Sequence, residues 1–305
     1  MANVMIFSEN TNLAAELLTA ANLIGDVKAV SINNEKQAVA LASTGAQVHA
    51  VNQDSLVMAD AGAVASILQQ AAEKLECTVV LLSSDRRGKL IAGSLAQKMK
   101  AGCLTGVIDL KMDGDKIVCQ RNTLGGTVIS EQTFVSPTQI IAVAPKSFAS
   151  AEKTDGGSIQ ELVTTGASTG LVFVSSQTKA GDSVDISAAD ILLVIGMGVE
   201  NQEMIATVND IADQLGGAVA CTKPVATDRK WFDEDRIVGI SGKTCKPSLA
   251  ILLGISGQVQ FYAGIRDSKT IASINNDENA LIASMSDYIL CADAEAAIQQ
   301  LKSTL

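Results

Sequence analysis

Residues 238–277, VGISGKTCKPSLAILLGISGQVQFYAGIRDSKTIASINND, decide how the chain is read. Small-residue turns alternate there with apolar runs: Gly239-Ile240-Ser241-Gly242-Lys243, then Gly254-Ile255-Ser256-Gly257, then Ser268 to Asn275. Leu249 to Leu253 reads as a short buried strand, Gly254 to Gly257 turns it, and Gln258 to Tyr262 can start a helix. A strand, a glycine turn and a helix start together favour an anion, because unpaired N–H groups and the helix dipole face it. The next strand, Thr270 to Ile274, ends in Asn275-Asn276-Asp277, a polar cluster suited to a ribose or a base. Ligands of open α/β sheets bind at such carboxyl strand ends. One glycine turn is ordinary punctuation. Three at βα spacing in one stretch point to a nucleotide site.

Composition agrees with that reading. The 305 residues suffice for two domains, each with its own core. Hydrophobic residues make up 47% and charged ones 18%, a globular balance. Aromatics are only 3%, so the cores are built from Ala, Val, Ile and Leu, as buried parallel strands require. A net charge of −10 without a basic stripe excludes nucleic acid and an anionic membrane surface as partners. Met1 to Asn10 has no basic leader and runs into a strand, so no signal peptide is expected. Apolar runs such as Ile191 to Ile195 and Leu249 to Ile255 fall far short of the ~18 residues of a membrane helix. The six cysteines form no CxxC pair, and buried free thiols in a reducing cytoplasm are expected. The single histidine, His49, lies in the strand-like Gln47 to Val51 and is expected to pack rather than react.

From the N-terminus, strands are predicted at Val4 to Phe7, Val27 to Ile32, Gln47 to Val51 and Thr78 to Leu82. Helices fall between them: one after Asn10-Thr11-Asn12 that Gly25-Asp26 ends, then Glu35 to Ser43 and Ala59 to Leu75. This alternation implies a parallel sheet with right-handed crossovers. Ser83 to Lys89 reads as a polar loop before a helix at Leu90 to Met99. Its Arg86 and Arg87 offer grip for an anion, but a solvated loop with a capping residue takes precedence. From Cys103 the period changes to two, over Leu104 to Lys111, Lys116 to Arg121, Val128 to Phe134 and Gln139 to Val143. An antiparallel addition to the sheet follows.

Residues 145–187 are irregular, and the linker to a second domain is placed near their end, after a strand-like Leu171 to Ser175. The second domain opens with Ile191 to Ile195 and a helix from about Asn201 to Leu215. Ala218 to Cys221, Arg236 to Ile240 and Tyr288 to Cys291 complete its sheet, and Ala294 to Leu301 closes it. Gly196-Met197-Gly198 begins a G-x-G-x-x-G fingerprint whose last glycine is Asn201, so the fingerprint fails. Gly242-Lys243-Thr244 fits the end of a phosphate loop whose first glycine is Ile237, and that motif fails too.

Gly239 to Lys243, Gly254 to Phe261 and Ser268 to Asp277 resemble the GQTGK, GISGAIQH and SKTIVAINKD segments of the electron transfer flavoprotein alpha subunit family. The resemblance continues through Ser286-Asp287-Tyr288 and Ala292-Asp293 and covers the last third of the chain closely. It implies two domains, each a mainly parallel doubly wound α/β sheet. Residues 1–185 would contact another subunit and end in a linker, and residues 186–305 would form a Rossmann-like FAD-binding domain. It also implies noncovalent FAD, an electron transfer flavoprotein beta-type subunit as partner, and a dehydrogenase or other oxidoreductase as redox partner. The protein is then a cytoplasmic electron carrier rather than an enzyme with its own substrate.

Carried over position by position, Ser241 would be the hydroxyl beside the flavin nitrogen, where the family usually has threonine. The pyrophosphate and ribityl chain would lie over Ser256, Gly257, Gln258, Val259 and Gln260. Asn275 would face the adenosine, Asp293 and Ala294 would close over it, and Val238, Gly239, Ile240 and Thr222 would line the same cradle. Three positions depart from the family. Its Gly-Arg-Gly is Gly196-Met197-Gly198, its Ser-Arg is Thr222-Lys223, and the histidine of GISGAIQH is Phe261. Lys223 keeps a charge without the planar fork, and Phe261 keeps bulk without a donor. A lost charge-assisted hydrogen bond of roughly 1.5–3 kcal/mol would lower a one-electron potential on the order of 60–130 mV. An alternative follows: a nucleotide-binding structural paralogue whose flavin chemistry is altered or lost. An enzyme built on Arg86 and Arg87 ranks last, because no nucleophile–base pair accompanies that loop.

Overall fold

The structure, a computed structural model, describes residues 2–126, 128–175 and 184–305. The chain divides into two compact units, Met1–Ser176 and Gln177–Leu305. Both are α/β with mainly parallel sheets, the fold class expected.

The first unit runs β1 (Ala2–Phe7), α1 (Thr11–Asn22), β2 (Gly25–Ile32), α2 (Glu35–Ala42), β3 (Gln47–Val51), α3 (Ala61–Lys74), β4 (Val79–Ser83) and α4 (Arg86–Met99). It continues with β5 (Gly102–Asp113), β6 (Lys116–Thr123), β7 (Val128–Gln132), β8 (Gln139–Val143) and β9 (Ser158–Glu161). The sheet order is β7-β6-β5-β8-β4-β1-β2-β3-β9. Alternate residues of β1 feed two cores: Met5 and Phe7 pack with Ile67 and Leu68 of α3 and Ile91 of α4, while Val4 and Ile6 pack with Leu17 of α1 and Leu41 of α2. That is why the central strands are apolar on both faces. Side chains of Asn10, Asn34, Asp60 and Asp85 cap the four helices, each contributing about 1 kcal/mol.

Several expectations need correction here. The polar stretch after β4 is not all loop: α4 begins at Arg86, because Asp85 accepts the Gly88 N–H at 2.6 Å. Gly25 does not end α1 but opens β2, paired with Ala2. The antiparallel pairings are β5 with β6 and β6 with β7; β8 lies between β4 and β5, parallel to both. Leu171 to Ser175 forms no strand, and Val172 and Val174 are exposed. The strand in that irregular stretch is β9, parallel to β3.

The second unit runs β10 (Ile191–Ile195), α5 (Met204–Leu215), β11 (Ala218–Cys221), α6 (Lys223–Thr227), β12 (Leu249–Leu253), α7 (Val259–Tyr262), β13 (Ile271–Asn275), β14 (Tyr288–Cys291) and α8 (Ala294–Thr304). Its five strands are parallel, in the order β11-β10-β12-β13-β14. Leu193 and Ile195 face α5 and α8; Leu192 and Val194 face a cover made of Val238, Ile255, Phe261 and Ile282. Arg236 to Ile240 is not a strand. It meets the sheet by a single bridge, Cys221 to Ile237, and closes a local one, Val238 to Lys243, where Gly239 turns it away at φ +139.

The six cysteines are free, and four are buried; Cys103 and Cys291 are exposed, against expectation. Burial pushes the thiols of Cys119 and Cys221 up to about 12 and that of Cys77 up to about 11, so they stay protonated. His49 packs in β3, and burial, with Lys28 nearby, holds its pKa below the usual value.

Candidate functional site

Each sheet has a strand reversal where successive βα units leave to opposite sides, between β1 and β4 and between β10 and β12. Ligands of open α/β sheets settle at such reversals. Between β10 and β12 opens a cavity of ≈ 810 Å³, within the size range of cofactor pockets. Its walls are the loop Gly196-Met197-Gly198, the start of α6, residues 238–241, the turn Gly254-Ile255-Ser256, then Gln258, Gln260, Phe261 and Asn275.

Glycine makes these walls possible. Gly254 has φ +62, and a Cβ there would sit 2.7 Å from the backbone of Gly198. The two turns therefore touch backbone to backbone. A Cβ on Gly239 would meet the Gln260 carbonyl at 2.8 Å, and that carbonyl accepts the Ile240 N–H at 2.9 Å. This ties residues 238–241 to α7.

The two turns differ in what their backbone amides do. After β10, Gly196 N–H donates to Leu253 and Gly198 N–H to Gly254. The N–H groups of Glu200 and Asn201 donate to one carboxylate oxygen of Glu295, at 2.9 and 2.8 Å. Arg229 braces the loop from its carbonyl side, donating to Met197 at 3.0 Å and to Val199, and it stacks over Trp231. After β12, the N–H groups of Ser256, Gly257 and Gln258 have no partner among the described residues. Consecutive open N–H groups in a turn form an anion-binding concavity.

Of the residues singled out from the sequence, Thr222, Lys223, Val238, Gly239, Ile240, Ser241, Ser256, Gln258, Gln260, Phe261 and Asn275 line the cavity. Gly257, Val259, Asp293 and Ala294 do not. Gly257 shapes the turn at φ +88, packed so that a Cβ would meet Ile282 N at 2.3 Å. Val259 is exposed, Ala294 is buried in the core, and Asp293 caps α8 through the Ala296 N–H. Asn275 lines the cavity with its amide engaged, donating to the Ile255 carbonyl and accepting from the Asp277 N–H. Phe261 is largely buried.

Gly196, Gly198, Pro224, Thr227, Asp228, Gly254 and Ile255 also line the cavity. The glycines were readable as the carboxyl end of β10 and the turn after β12. Thr227 and Asp228 carried no signal, since only the fold of α6 turns them inward.

Lys243, the tempting phosphate-loop lysine, is committed to Asp185 at 3.1 Å. Burial pushes the Asp185 carboxyl up, but bonds from Ser187 and Lys243 outweigh it and hold the group below the usual range. At the other strand reversal, Arg87 is taken by Glu9 and by the carbonyls of Met58 and Ala59. The space there is ≈ 10 Å³, barely one water. Among the described residues no cluster of His, Cys, Asp and Glu is arranged for a metal ion, and no helix is long and apolar enough to cross a membrane.

Comparison with known proteins supplies the rest. Residues 185–266 match the family described as electron transfer flavoprotein FAD-binding domain, and residues 5–167 match the electron transfer flavoprotein domain. Among curated proteins, the chain is similar to protein FixB of Salmonella typhimurium, at 28% identity over 311 aligned residues. Protein FixB of Shigella flexneri is 29% identical over the same length. Both alignments cover 100% of this chain and 98% of the relative.

Proposed function

The chain belongs to the electron transfer flavoprotein alpha subunit family, and on that premise we propose that the cavity between β10 and β12 holds FAD. The protein would then carry electrons between a dehydrogenase or other oxidoreductase and a downstream acceptor, in the cytoplasm. Members of the family normally pair with a beta subunit, and a beta-type partner is proposed here.

One observation carries the reading. A cavity of ≈ 810 Å³ at the strand reversal is edged by a turn whose Ser256, Gly257 and Gln258 N–H groups are open. Such a turn fits a pyrophosphate, and exposed Lys223 adds a cation at the wall. Met197, Pro224, Ile240 and the edge of Phe261 offer an apolar wall for a flat ring. Ser241 lines the same cavity, and its hydroxyl would donate to a ring nitrogen. Asn275 would act through the Ile255 turn that it braces, and Asp293 and Ala294 through the end of α8. Val238, Gly239, Gln260 and Thr222 shape the cradle, with Gly257 in its turn and Val259 following it. FAD, when bound, supplies reversible one- and two-electron chemistry; the chain's own residues bind it, orient it and set the charge around it.

A second reading is favoured by Met197, Lys223 and Phe261, which leave the ring region short of donors: a nucleotide-binding paralogue that keeps the cradle without flavin redox. The two readings separate in one experiment. The chain, co-expressed with a beta-type subunit, is scanned for absorbance before and after dithionite. Flavin bands that bleach and return in air support the carrier. A colourless protein that binds adenine nucleotide supports the paralogue and overturns the carrier.

A further inference from the structure

The carboxyl ends of β10 and β12 each present a turn and a helix start, and a dinucleotide phosphate fits either by topology alone. Among the described residues only the second keeps three consecutive amides open. The first turn leads into α5, where Glu200 and Asn201 donate to the carboxylate of Glu295 and Glu203 donates to the side chain of Asn201. Glu295 comes from the first turn of α8, close to a hundred residues along the chain. The Ser256-Gly257-Gln258 amides of the second turn are unanswered.

We infer that Glu295 is a resident anion, a specificity-determining residue that occupies the phosphate position of the first turn and so directs a pyrophosphate to the second. The inference rests on the proposed cofactor site and adds to it how that site is chosen. The chemistry is direct. Two backbone N–H groups converge on one carboxylate oxygen, as they would on a phosphate oxygen, and charge-assisted bonds of this kind are the strong ones. An incoming phosphate must displace a tethered carboxylate and face its charge. Arg229, bonded to the carbonyls of Met197 and Val199, holds the loop so that these amides stay aimed at Glu295.

The test uses the full chain and inorganic pyrophosphate as probe, with binding followed by calorimetry and by amide hydrogen exchange. The native protein is expected to bind about one pyrophosphate, protecting Ser256, Gly257 and Gln258, with Glu200 and Asn201 unresponsive. Glu295→Ala vacates the first turn: its Glu200 and Asn201 amides should exchange faster, and pyrophosphate should slow them again as the stoichiometry rises to about two. Glu295→Gln keeps an acceptor and removes the charge, and safeguards the test should Glu295→Ala not fold. Its two amides should also exchange faster than in the native protein and be slowed by pyrophosphate. If these amides ignore pyrophosphate in every folded variant, the inference is overturned.

Failure of the cofactor reading looks different. A native chain whose Ser256 to Gln258 amides ignore both FAD and pyrophosphate, beside a Glu295→Ala chain that gains a seat at Glu200 and Asn201, sinks the cofactor site and keeps this role for Glu295.

Discussion

The two strand reversals of this chain are the same feature of topology with opposite outcomes. Between β1 and β4 the space is closed: Ser8 and Ser83 share a hydrogen bond at 2.9 Å, and Arg87 spans to Glu9 and to two carbonyls. Between β10 and β12 glycine removes the side chains that would do the closing, and the turn after β12 keeps its amides open. Sheet order therefore offers a site, and local satisfaction of polar groups decides whether the offer stands. The cofactor site is proposed at the second reversal because that is the one left unfinished.

The strongest way to break this contrast is to close the open reversal. Gly254→Val puts a β-branched side chain at φ +62, with its Cβ 2.7 Å from Gly198. Left-handed backbone costs about 1–2 kcal/mol and overpacking about 1–3 kcal/mol. Urea unfolding should register a loss of about 2–5 kcal/mol from these two costs, and FAD titration should show no binding. Retained affinity would mean that the cofactor lies elsewhere.

Phe261→His sharpens the contrast by restoring a donor at the open reversal. Given roughly 1.5–3 kcal/mol for a charge-assisted bond, a flavin beside it should gain on the order of 60–130 mV in a one-electron potential. A spectroelectrochemical titration reads it. An unchanged potential would place the ring away from α7. Because Phe261 is packed in the core, some loss of melting temperature accompanies the change.

Arg87→Ala probes the closed reversal. It removes an ion pair and two carbonyl contacts, and thermal unfolding should show a loss of about 1–2 kcal/mol. FAD affinity should not move. A fall in affinity would show that the first reversal takes part after all.

The smallest effect concerns pH. Asp185 is held below the usual carboxylate range, so its contribution is present above the unfolded pKa and is lost as pH falls through the lower folded value. Stability measured from neutral pH down past about 4 should therefore lose a part that Asp185→Asn does not show. Because the group is well exposed, that part is under about 1 kcal/mol. Equal pH profiles for both proteins would remove the role given to the Lys243 pair.

Much of this was legible in the residues. Ile191–Ile195 and Leu249–Leu253 are uninterrupted aliphatic runs of strand length, and the glycines between such runs marked the turns of the cavity. Arg236 to Ile240 misled because its apolar run resembles a strand, while Gly239 takes a backbone angle that ends pairing. β9 was hidden because Ser158–Glu161 has no apolar alternation; the open edge of β3 recruits it. Leu171 to Ser175 shows the converse, a strand-like sequence that forms no strand. The supports of the site were the least readable. Asn275 to Ile255, Arg229 to Met197 and Glu295 to Glu200 are contacts across 20, 32 and 95 residues, and no local pattern announces them.

Amide hydrogen exchange with and without FAD tests the central claim most directly. The account predicts protection at Ser256, Gly257 and Gln258 and none at Ser83 to Gly88. Protection at the β1–β4 reversal, or none at Ser256 to Gln258 in a chain that binds FAD, would contradict it.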